Sequence, residues 1–531
     1  MIFPPGFVSD PYTPEEPLPP GGFRITARTP DQPRIEAADP AAHAYAEAHL
    51  AALRAGDRLP PSPFRIEQAP RFAERGYLLD ISRCRVPRMD FLFDLVDRLA
   101  ALRFNQLQLY TEHTFAYRGH ETVWRDSSPM TPAEIRDLDA HCRDRHVELV
   151  PNQNCFGHME RWLRHPGYRH LAECPDGFEH PVTGPKPHGT TLFPSEESAR
   201  FVEGLLDELL PHFRSRKANI GGDEPWELGQ GRSRDRVART GKDEVYREFL
   251  ERLFAIVESR GHEPIFWADI VLEHPENVAK LNPRAIPAIW GYEANHPFEE
   301  QCRAVSEAGF RDRFQVVPGT GTWNSFSGRS LNAAANIREA AVQGARHGAR
   351  GLVLTCWGDG GHHQPTPTSF PPLVLAARHA WGTTVPEIGL AETIDEAFYA
   401  NRSGHGSALL YLGEIDSLVP GPHPNRSFLH QAFFAADPDL PRILAPVSRP
   451  ALAETKDRLE AVDCAGLDPR IALARDLDLW AVDRCLAAER ATSGDLRLES
   501  RLEDLKDRFR DQWLAESREG GLDESLGRFP G

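Results

Sequence analysis

The 531-residue sequence has no apolar run long enough to span a bilayer, which argues against a helical membrane protein. Its first residues, Met-Ile-Phe-Pro-Pro-Gly-Phe, lack a basic stretch followed by an apolar one. No secretion signal is read there, and a cytoplasmic location is expected. Cys-x-x-Cys pairs are missing as well. The eight cysteines, Cys84, Cys142, Cys155, Cys174, Cys302, Cys356, Cys464 and Cys485, are scattered along the chain. An even number admits disulfides, but a chain this long does not need them, so reduced thiols are expected. Positive charge is scarce: 61 Lys and Arg face 78 Asp and Glu, a formal net charge of −17. That balance argues against nucleic acid or an anionic membrane as a partner. The 22 histidines include no His-x-His pair after the first predicted strand and no His-Glu-x-x-His helix. No metal site and no cofactor are expected. A homodimer stays open.

What is present is the composition of a globular protein, 40% hydrophobic and 26% charged. The length points to a large domain with additions. Residues 1–70 are rich in proline and glycine and read as a small N-terminal segment, with one helix near 41–55 and a short strand near 23–27. From residue 76 short apolar runs alternate with amphipathic stretches. Strands are predicted at 77–81, 105–110, 148–152, 218–221, 264–267, 288–291, 314–317 and 352–356. Helices are predicted at 89–102, 132–145, 195–213, 244–259, 297–308 and 333–347, with a weak one at 275–281 and a last one at 372–380. Eight strands, each followed by a helix, predict an α/β fold, a (β/α)8 TIM barrel over residues 71–384. Residues 385–531 lack strand alternation and read as a helical C-terminal region, with helical periodicity at 451–461, 471–489 and 496–517.

In such a barrel, working residues gather at the C-terminal ends of the strands. Ser82 and Arg83 follow the first predicted strand, Glu112 and His113 the second, and Asn152 to His158 the third. Asp223 and Glu224 follow the fourth, Trp267 and Asp269 the fifth, and Trp290 and Tyr292 the sixth. Trp323 and Asn324 follow the seventh, and Trp357 and Asp359 the eighth. One tryptophan at a rim is ordinary packing. Four in equivalent places predict a ring-lined pocket. Asp223 and Glu224 are adjacent, and neighbouring strand residues point to opposite faces. The preceding Gly221-Gly222 pair lets the backbone turn and bring both acids to one side. Two carboxyl groups beside aromatic rings are what sugar cleavage requires: one donates a proton, the other holds charge.

These residues resemble glycoside hydrolase family 20, the β-N-acetylhexosaminidases. Gly221-Gly-Asp-Glu224 resembles the family's catalytic signature. Arg75-Gly-Tyr-Leu-Leu-Asp-Ile-Ser-Arg83 resembles its first barrel strand, and Val150-Pro-Asn-Gln-Asn-Cys-Phe-Gly-His158 its third. Weaker echoes are Phe266-Trp-Ala-Asp269 and Cys356-Trp-Gly-Asp359. The resemblance covers roughly residues 70–382. It implies a retaining, substrate-assisted exo-glycosidase that removes terminal β-linked GlcNAc or GalNAc. The substrate's acetamido oxygen is the nucleophile and an oxazolinium forms. Glu224 is then the general acid and base, and Asp223 orients the acetamido group. His158, with Glu112 as partner, tunes Glu224. Arg83 binds sugar hydroxyls, and Trp267, Trp290 and Trp357 wall the acetamido pocket. Tyr292, Trp323, Asn324 and Asp359 complete the substrate-binding set. Glu224 beside Asp223 is expected to carry a raised pKa and to titrate with it as a coupled pair.

The sequence departs from the family at several places. Asn152 and Asn154 stand where acids are usual, Tyr110-Thr-Glu-His113 replaces a His-Leu-x-Asp-Asp stretch, and Asp359 replaces a glutamate. Residues 319–326 lack the tyrosine that the family uses to bind the acetamido oxygen. Three other readings compete: a glycosidase acting on a different sugar, a non-catalytic carbohydrate-binding barrel, and a metal-dependent barrel hydrolase using histidines such as His362 and His363.

Overall fold

The computed structural model describes residues 17–29, 32–181, 184–382, 389–419, 421, 424–488 and 496–530. A three-stranded antiparallel sheet comes first, from β1 (Phe23–Ala27), β2 (Pro33–Ala37) and β3 (Phe64–Gln68), in the order β2-β1-β3. The helix Pro40–Ala55 covers it, started by Asp39, whose side chain accepts from the Ala42 N–H. Phe23, Ile25, Tyr45, Leu50, Phe64 and Ile66 form a separate apolar cluster here, closed by Trp381 from the barrel. The sequence predicts only the first of these strands. Proline at the start of β2 and charged residues within β2 and β3 mask the alternation.

Eight parallel strands follow: β4 (Glu74–Asp80), β5 (Gln106–Tyr110), β6 (Glu148–Val150), β9 (Lys217–Asn219), β10 (Glu263–Trp267), β11 (Ile286–Trp290), β12 (Gln315–Val317) and β13 (Gly351–Cys356). Between β6 and β9 lies a small hairpin, β7 (Phe178–His180) with β8 (Gly184–Lys186), which the sequence does not predict. The eight pair in the order β6-β5-β4-β13-β12-β11-β10-β9. A parallel bridge between Asn152 and Asn219 joins the two outermost strands and closes the barrel. Each strand lies within three residues of its predicted place. All seven residues of β4 are buried, as expected for a parallel strand covered on both faces.

Alternate residues fill the barrel interior: Leu78, Val150, Ile265, Ile286, Val317 and Val353, topped by Tyr110, Trp267, Tyr292, Trp323 and Trp357. Helices outside bury the other faces. Their ends carry local signals, such as the Thr131–Glu134 capping box and the left-handed Gly348 that ends Ser330–His347. At the N-terminal ends of the strands, Glu74 accepts from Lys217 (2.9 Å), Arg350 (2.8 Å) and Gln315 (2.7 Å), and Lys217 also reaches Glu148 (2.6 Å).

Beyond the barrel the chain is helical. Arg449–Glu460, Pro469–Ala488 and Leu496–Glu516 match the predicted periodicity, while Leu390–Tyr399, His405–Gly413 and Phe428–Phe434 add to it. Among the described residues no helix is long and apolar enough to cross a membrane. None of the eight cysteines, all among the described residues, is paired in a disulfide with another of them.

Candidate active site

The fourth barrel strand ends at Asn219, two residues earlier than predicted, because the backbone then leaves the pleat. Gly221 and Gly222 adopt φ of +71° and +93°, and Glu224 itself sits at +46°. A Cβ on Gly221 would lie 1.6 Å from Asn154 Oδ1, so only glycine fits. This corner turns Asp223 and Glu224 to the same side. A matching constraint acts opposite: a Cβ on Gly157 would meet the Asp223 carbonyl at 2.3 Å. The close approach delivers His158, also left-handed at φ +54°, to both acids. Its Nε2 is 3.2 Å from Asp223 Oδ2 and 3.4 Å from Glu224 Oε2. Neither acid faces bulk water freely: Asp223 is 7% exposed and the Glu224 side chain 30%.

The charges settle around this trio. Burial works against a charged His158, but the Asp223 and Glu224 carboxylates outweigh it and push its pKa well above the ordinary value. Burial likewise favours neutral Glu224, yet the His158 hydrogen bond and charge, with Arg83 behind it, hold its pKa below the usual carboxylate value. The predicted raised pKa of Glu224 is therefore corrected: a buried cation outcompetes burial. The carboxyl that is pushed well up is Asp269, by burial and then by the charges of Asp223 and Glu224. The Oδ2 of this third carboxyl accepts from the Glu224 N–H at 3.3 Å. The sequence places Asp269 after strand five but assigns it no role. The weak family echo Phe266-Trp-Ala-Asp269 was the signal that pointed to it.

Arg83 forms the second centre. Its Nη1 donates to Asp80 (3.1 Å), and its Nε lies 3.4 Å from Glu112 and 3.6 Å from Asp359. The guanidinium stacks over Tyr110 at 4.6 Å and Trp357 at 5.1 Å. Asp80 also accepts from the Ser82, Arg83 and Gly358 N–H groups, fixing the loop that carries Arg83. Glu112 takes the Tyr110 hydroxyl at 3.0 Å and stands 3.9 Å from His158 Nδ1, so it serves Arg83 more closely than His158. Asp359 is 40% exposed at the rim. Burial and the Asp80 and Glu224 charges push its pKa up against the pull of Arg83.

The rings join into one wall. Trp267 and Trp357 meet edge to face at 6.0 Å, and Trp357 meets Tyr110 at 4.7 Å. Trp290 stacks on Tyr292 at 5.2 Å, and Trp323 packs edge-on against Tyr292 at 5.0 Å. Trp323 is only 1% exposed and stands behind this wall rather than in it. Trp357 Nε1 donates to the Tyr292 hydroxyl at 2.8 Å. Asn324, left-handed at φ +51°, turns to the loop beyond and donates to the Asn425 carbonyl. The two asparagines at usual acid positions are structural. Asn152 and Asn219 share the Gln108 carbonyl oxygen, and Asn154 donates to the Tyr110 hydroxyl. Tyr246, invisible to motif reasoning, donates to the Gly222 carbonyl and braces the corner. The unforeseen hairpin brings His180 against Trp226, 5.4 Å between rings, just past the acids.

Buried polar atoms here without a partner include Asp223 Oδ1 and Trp267 Nε1, whereas the Asp269 carboxyl and the Trp290 indole interact with each other. Native proteins seldom leave such atoms unpaired, so they mark places for a polar ligand. His158, Asp223 and Glu224 offer ligand atoms within 4.8 Å of one another. The same atoms hold the imidazole and both carboxylates in one hydrogen-bonded group.

A family model described as "Glycosyl hydrolase family 20, catalytic domain" matches residues 72–311. Human hexosaminidase D is 28% identical over 219 residues, 39% of this chain and 43% of that protein. The β-hexosaminidase subunit beta of Felis catus is 27% identical over 263 residues, covering 46% of this chain and 47% of that one. The chain thus spans under half the length of these two relatives. Among solved structures, a β-N-acetylhexosaminidase superposes with a TM-score of 0.56 at 18% identity, over 72% of this chain and 88% of that one. The Streptomyces plicatus N-acetyl-β-hexosaminidase in complex with Thio-NAglucal gives 0.54 at 21% identity, over 73% and 83%. The matched segment holds β4 to β11 and with them Arg83, Glu112, His158, Asp223 and Glu224, so over this stretch, which carries the site, the chain is similar to the catalytic domain of glycosyl hydrolase family 20.

Proposed function

We propose that the protein is a retaining exo-β-N-acetylhexosaminidase that uses the substrate's own acetamido oxygen as nucleophile. One observation carries the reading: adjacent acids, turned to one side by a Gly-Gly corner, share a single imidazole beside a wall of indoles. The acetamido carbonyl oxygen attacks the anomeric carbon while the bond to the leaving oxygen breaks. Glu224 gives that oxygen its proton. Asp223, ionised, accepts from the acetamido N–H and offsets the positive charge of the oxazolinium. Its unpartnered Oδ1 suits this task. Water then adds to the anomeric carbon, the ring opens, and the Glu224 carboxylate takes the water's proton. Two displacements retain the configuration.

Supporting groups have defined duties. Asp269, pushed toward the neutral form, keeps three carboxyls from repelling one another. The Arg83 fork, already desolvated over two rings, binds ring hydroxyls together with Asp359. Tyr292 supplies the donor that residues 319–326 lack. Trp357 donates to its oxygen and Thr355 also hydrogen-bonds its hydroxyl, so the phenolic proton turns to the acetamido oxygen by leaving Thr355. Because His158 holds Glu224 low in the free protein, the acid form is populated on the acid side of neutrality, and activity belongs there.

Turnover of 4-nitrophenyl N-acetyl-β-glucosaminide and N-acetyl-β-galactosaminide tests the reading. Activity is expected, is lost in Glu224→Gln, and is blocked by a thiazoline mimic of the oxazolinium far more strongly than by free N-acetylhexosamine. Equal turnover of the glucoside, or weak thiazoline inhibition, would sink the acetamido mechanism.

A further inference from the structure

After the long helix Leu496–Glu516 the chain runs back across the mouth of the barrel. Ser517 forms an antiparallel bridge with Pro87, and the Arg518 N–H donates to the Val86 carbonyl. Gly521, at φ +82°, lies flat on the Cys84 backbone, where a Cβ would come within 1.9 Å of the Cys84 carbonyl oxygen. Glu524 receives both Arg161 Nη1 (2.8 Å) and Nη2 (2.7 Å). Ser525 Oγ donates to the Gly361 carbonyl at 2.5 Å, and His363 Nε2 lies 3.0 Å from the Ser525 carbonyl. Phe529 closes the run against His363 and Phe509.

These contacts fall on three loops, and each loop carries a site residue. Cys84 follows Arg83. Arg161 lies three residues after His158. Gly361 and His363 follow Asp359. All three loops pass through left-handed residues: Cys84 at +74°, His158 at +54° and His362 at +58°. Such residues persist only where their surroundings hold them. Beneath the segment lies a chamber of about 530 Å³, lined by Ser82, Cys84, His113, Thr114 and Arg161 among others. The segment is anchored as well on residues 127–134, where Arg518 Nη1 donates to the Pro129 carbonyl and Nη2 to Glu134, both at 2.7 Å, and the Gly520 N–H donates to Ser128 Oγ at 3.0 Å. Among its contacts with the loops that carry site residues, the two-pronged ion pair is the most geometrically specific.

We propose that Ser517–Phe529 is a strap that sets the relative positions of Arg83, His158 and Asp359, with Arg161–Glu524 as its fastening. Glu524 is thus a positioning residue that acts on the chemistry through His158. Arg161, outweighing burial, holds the Glu524 carboxyl down at about 2, so the fastening stays charged wherever the enzyme works. This inference rests on the function proposed above.

The test compares the full-length wild type with Glu524→Ala, Glu524→Gln and the exchanged pair Arg161→Glu/Glu524→Arg. Readouts are turnover of 4-nitrophenyl N-acetyl-β-glucosaminide across pH, and amide hydrogen exchange of residues 82–87 and 158–163. Misplacement by about 1 Å costs up to roughly 10²-fold in rate. Glu524→Ala is therefore expected to lower kcat by about 10- to 100-fold with little change in KM. Its alkaline limb should move up, because His158 no longer depresses Glu224. Glu524→Gln should be intermediate, the exchanged pair should recover part of the loss, and exchange in both loops should quicken in Glu524→Ala. Rates and pH profile within twofold of wild type would overturn the strap while leaving the glycosidase reading intact. A wild type without turnover would overturn that reading instead. Exchange then decides the strap: unchanged protection in Glu524→Ala and Glu524→Gln alike would refute it.

Discussion

At the N-terminal ends of the barrel strands, the buried carboxylate of Glu74 finds a lysine, an arginine and an amide within 3 Å. At the C-terminal ends, the buried carboxyl of Asp223 leaves one oxygen unpaired, Asp223 and Glu224 crowd one imidazole, and a third acid, Asp269, stands beside them. Left-handed residues other than glycine stand at both ends: Arg103, His146 and Asp312 precede strands, while Cys84, His158, Glu224, Asn324 and His362 lie on the loops beyond the C-terminal ends, where the acids are. Both ends spend buried charge, but to different effect. One end compensates its charge in full. The other keeps charge and strain available for something not yet bound.

Substitutions can break or sharpen this contrast. Asp223→Asn removes the charge that faces the oxazolinium. Turnover should fall about 10³-fold, roughly 4 kcal/mol of transition-state stabilisation. Its melting temperature should hold or rise, because one of three crowded acids is gone. Lys217→Met at the opposite end should do the reverse. It leaves Glu74 with one cation fewer and should cost about 3 kcal/mol of stability in denaturant titration, with kcat of the folded protein unchanged. If both variants lose activity and stability alike, the two ends are not functionally distinct. Tyr292→Phe should lower kcat by about 10²-fold through loss of one donor, while a substrate without the acetamido group should not feel the change.

The smallest effect is in pH. His158→Gln should move the alkaline limb of kcat/KM upward, because Glu224 loses the cation that depresses it. Stability should respond in two windows. The raised pKa of His158 contributes stability that is full below its unfolded value of about 6.5 and fades as pH climbs through the folded value. The depressed pKa of Glu224 contributes above about 4.3 and is lost as pH falls. Chemical denaturation of both proteins from pH 4 to 9 would resolve the windows, and parallel curves would discard the trio as a charge network.

The barrel was legible because each buried parallel strand is a short apolar run between amphipathic stretches. The acids were legible because Gly221-Gly222 precedes them and tryptophans recur at equivalent strand ends. Other features depend on distances that sequence spacing does not carry. Whether Glu224 gains or loses proton affinity turns on His158 at 3.4 Å, brought there by a glycine contact between two loops. Asp269 looked like an ordinary acid after a strand. Asn152 and Asn154 looked like losses of specificity, yet they bind Gln108 and Tyr110. The segment after residue 516 meets Pro87, some 430 positions earlier, and no local pattern announces that. Strands β2 and β3 were hidden by proline and by short, charged alternation.

The barrel is sealed between β6 and β9 by the bridge of Asn152 with Asn219, with the Cys155 N–H donating to the Ile220 carbonyl above it and Lys217 meeting Glu148 below. The Gln153 N–H donates to the Asn219 carbonyl and the Asn219 N–H to the Pro151 carbonyl, both at 2.9 Å. His158 lies a few residues past one lip of this seam and Asp223 past the other. The thinnest weld in the cylinder is thus also the ruler for the distance between imidazole and acids. Warming that parts the lips should disarm the enzyme before it melts, with heat inactivation preceding the loss of helical circular dichroism.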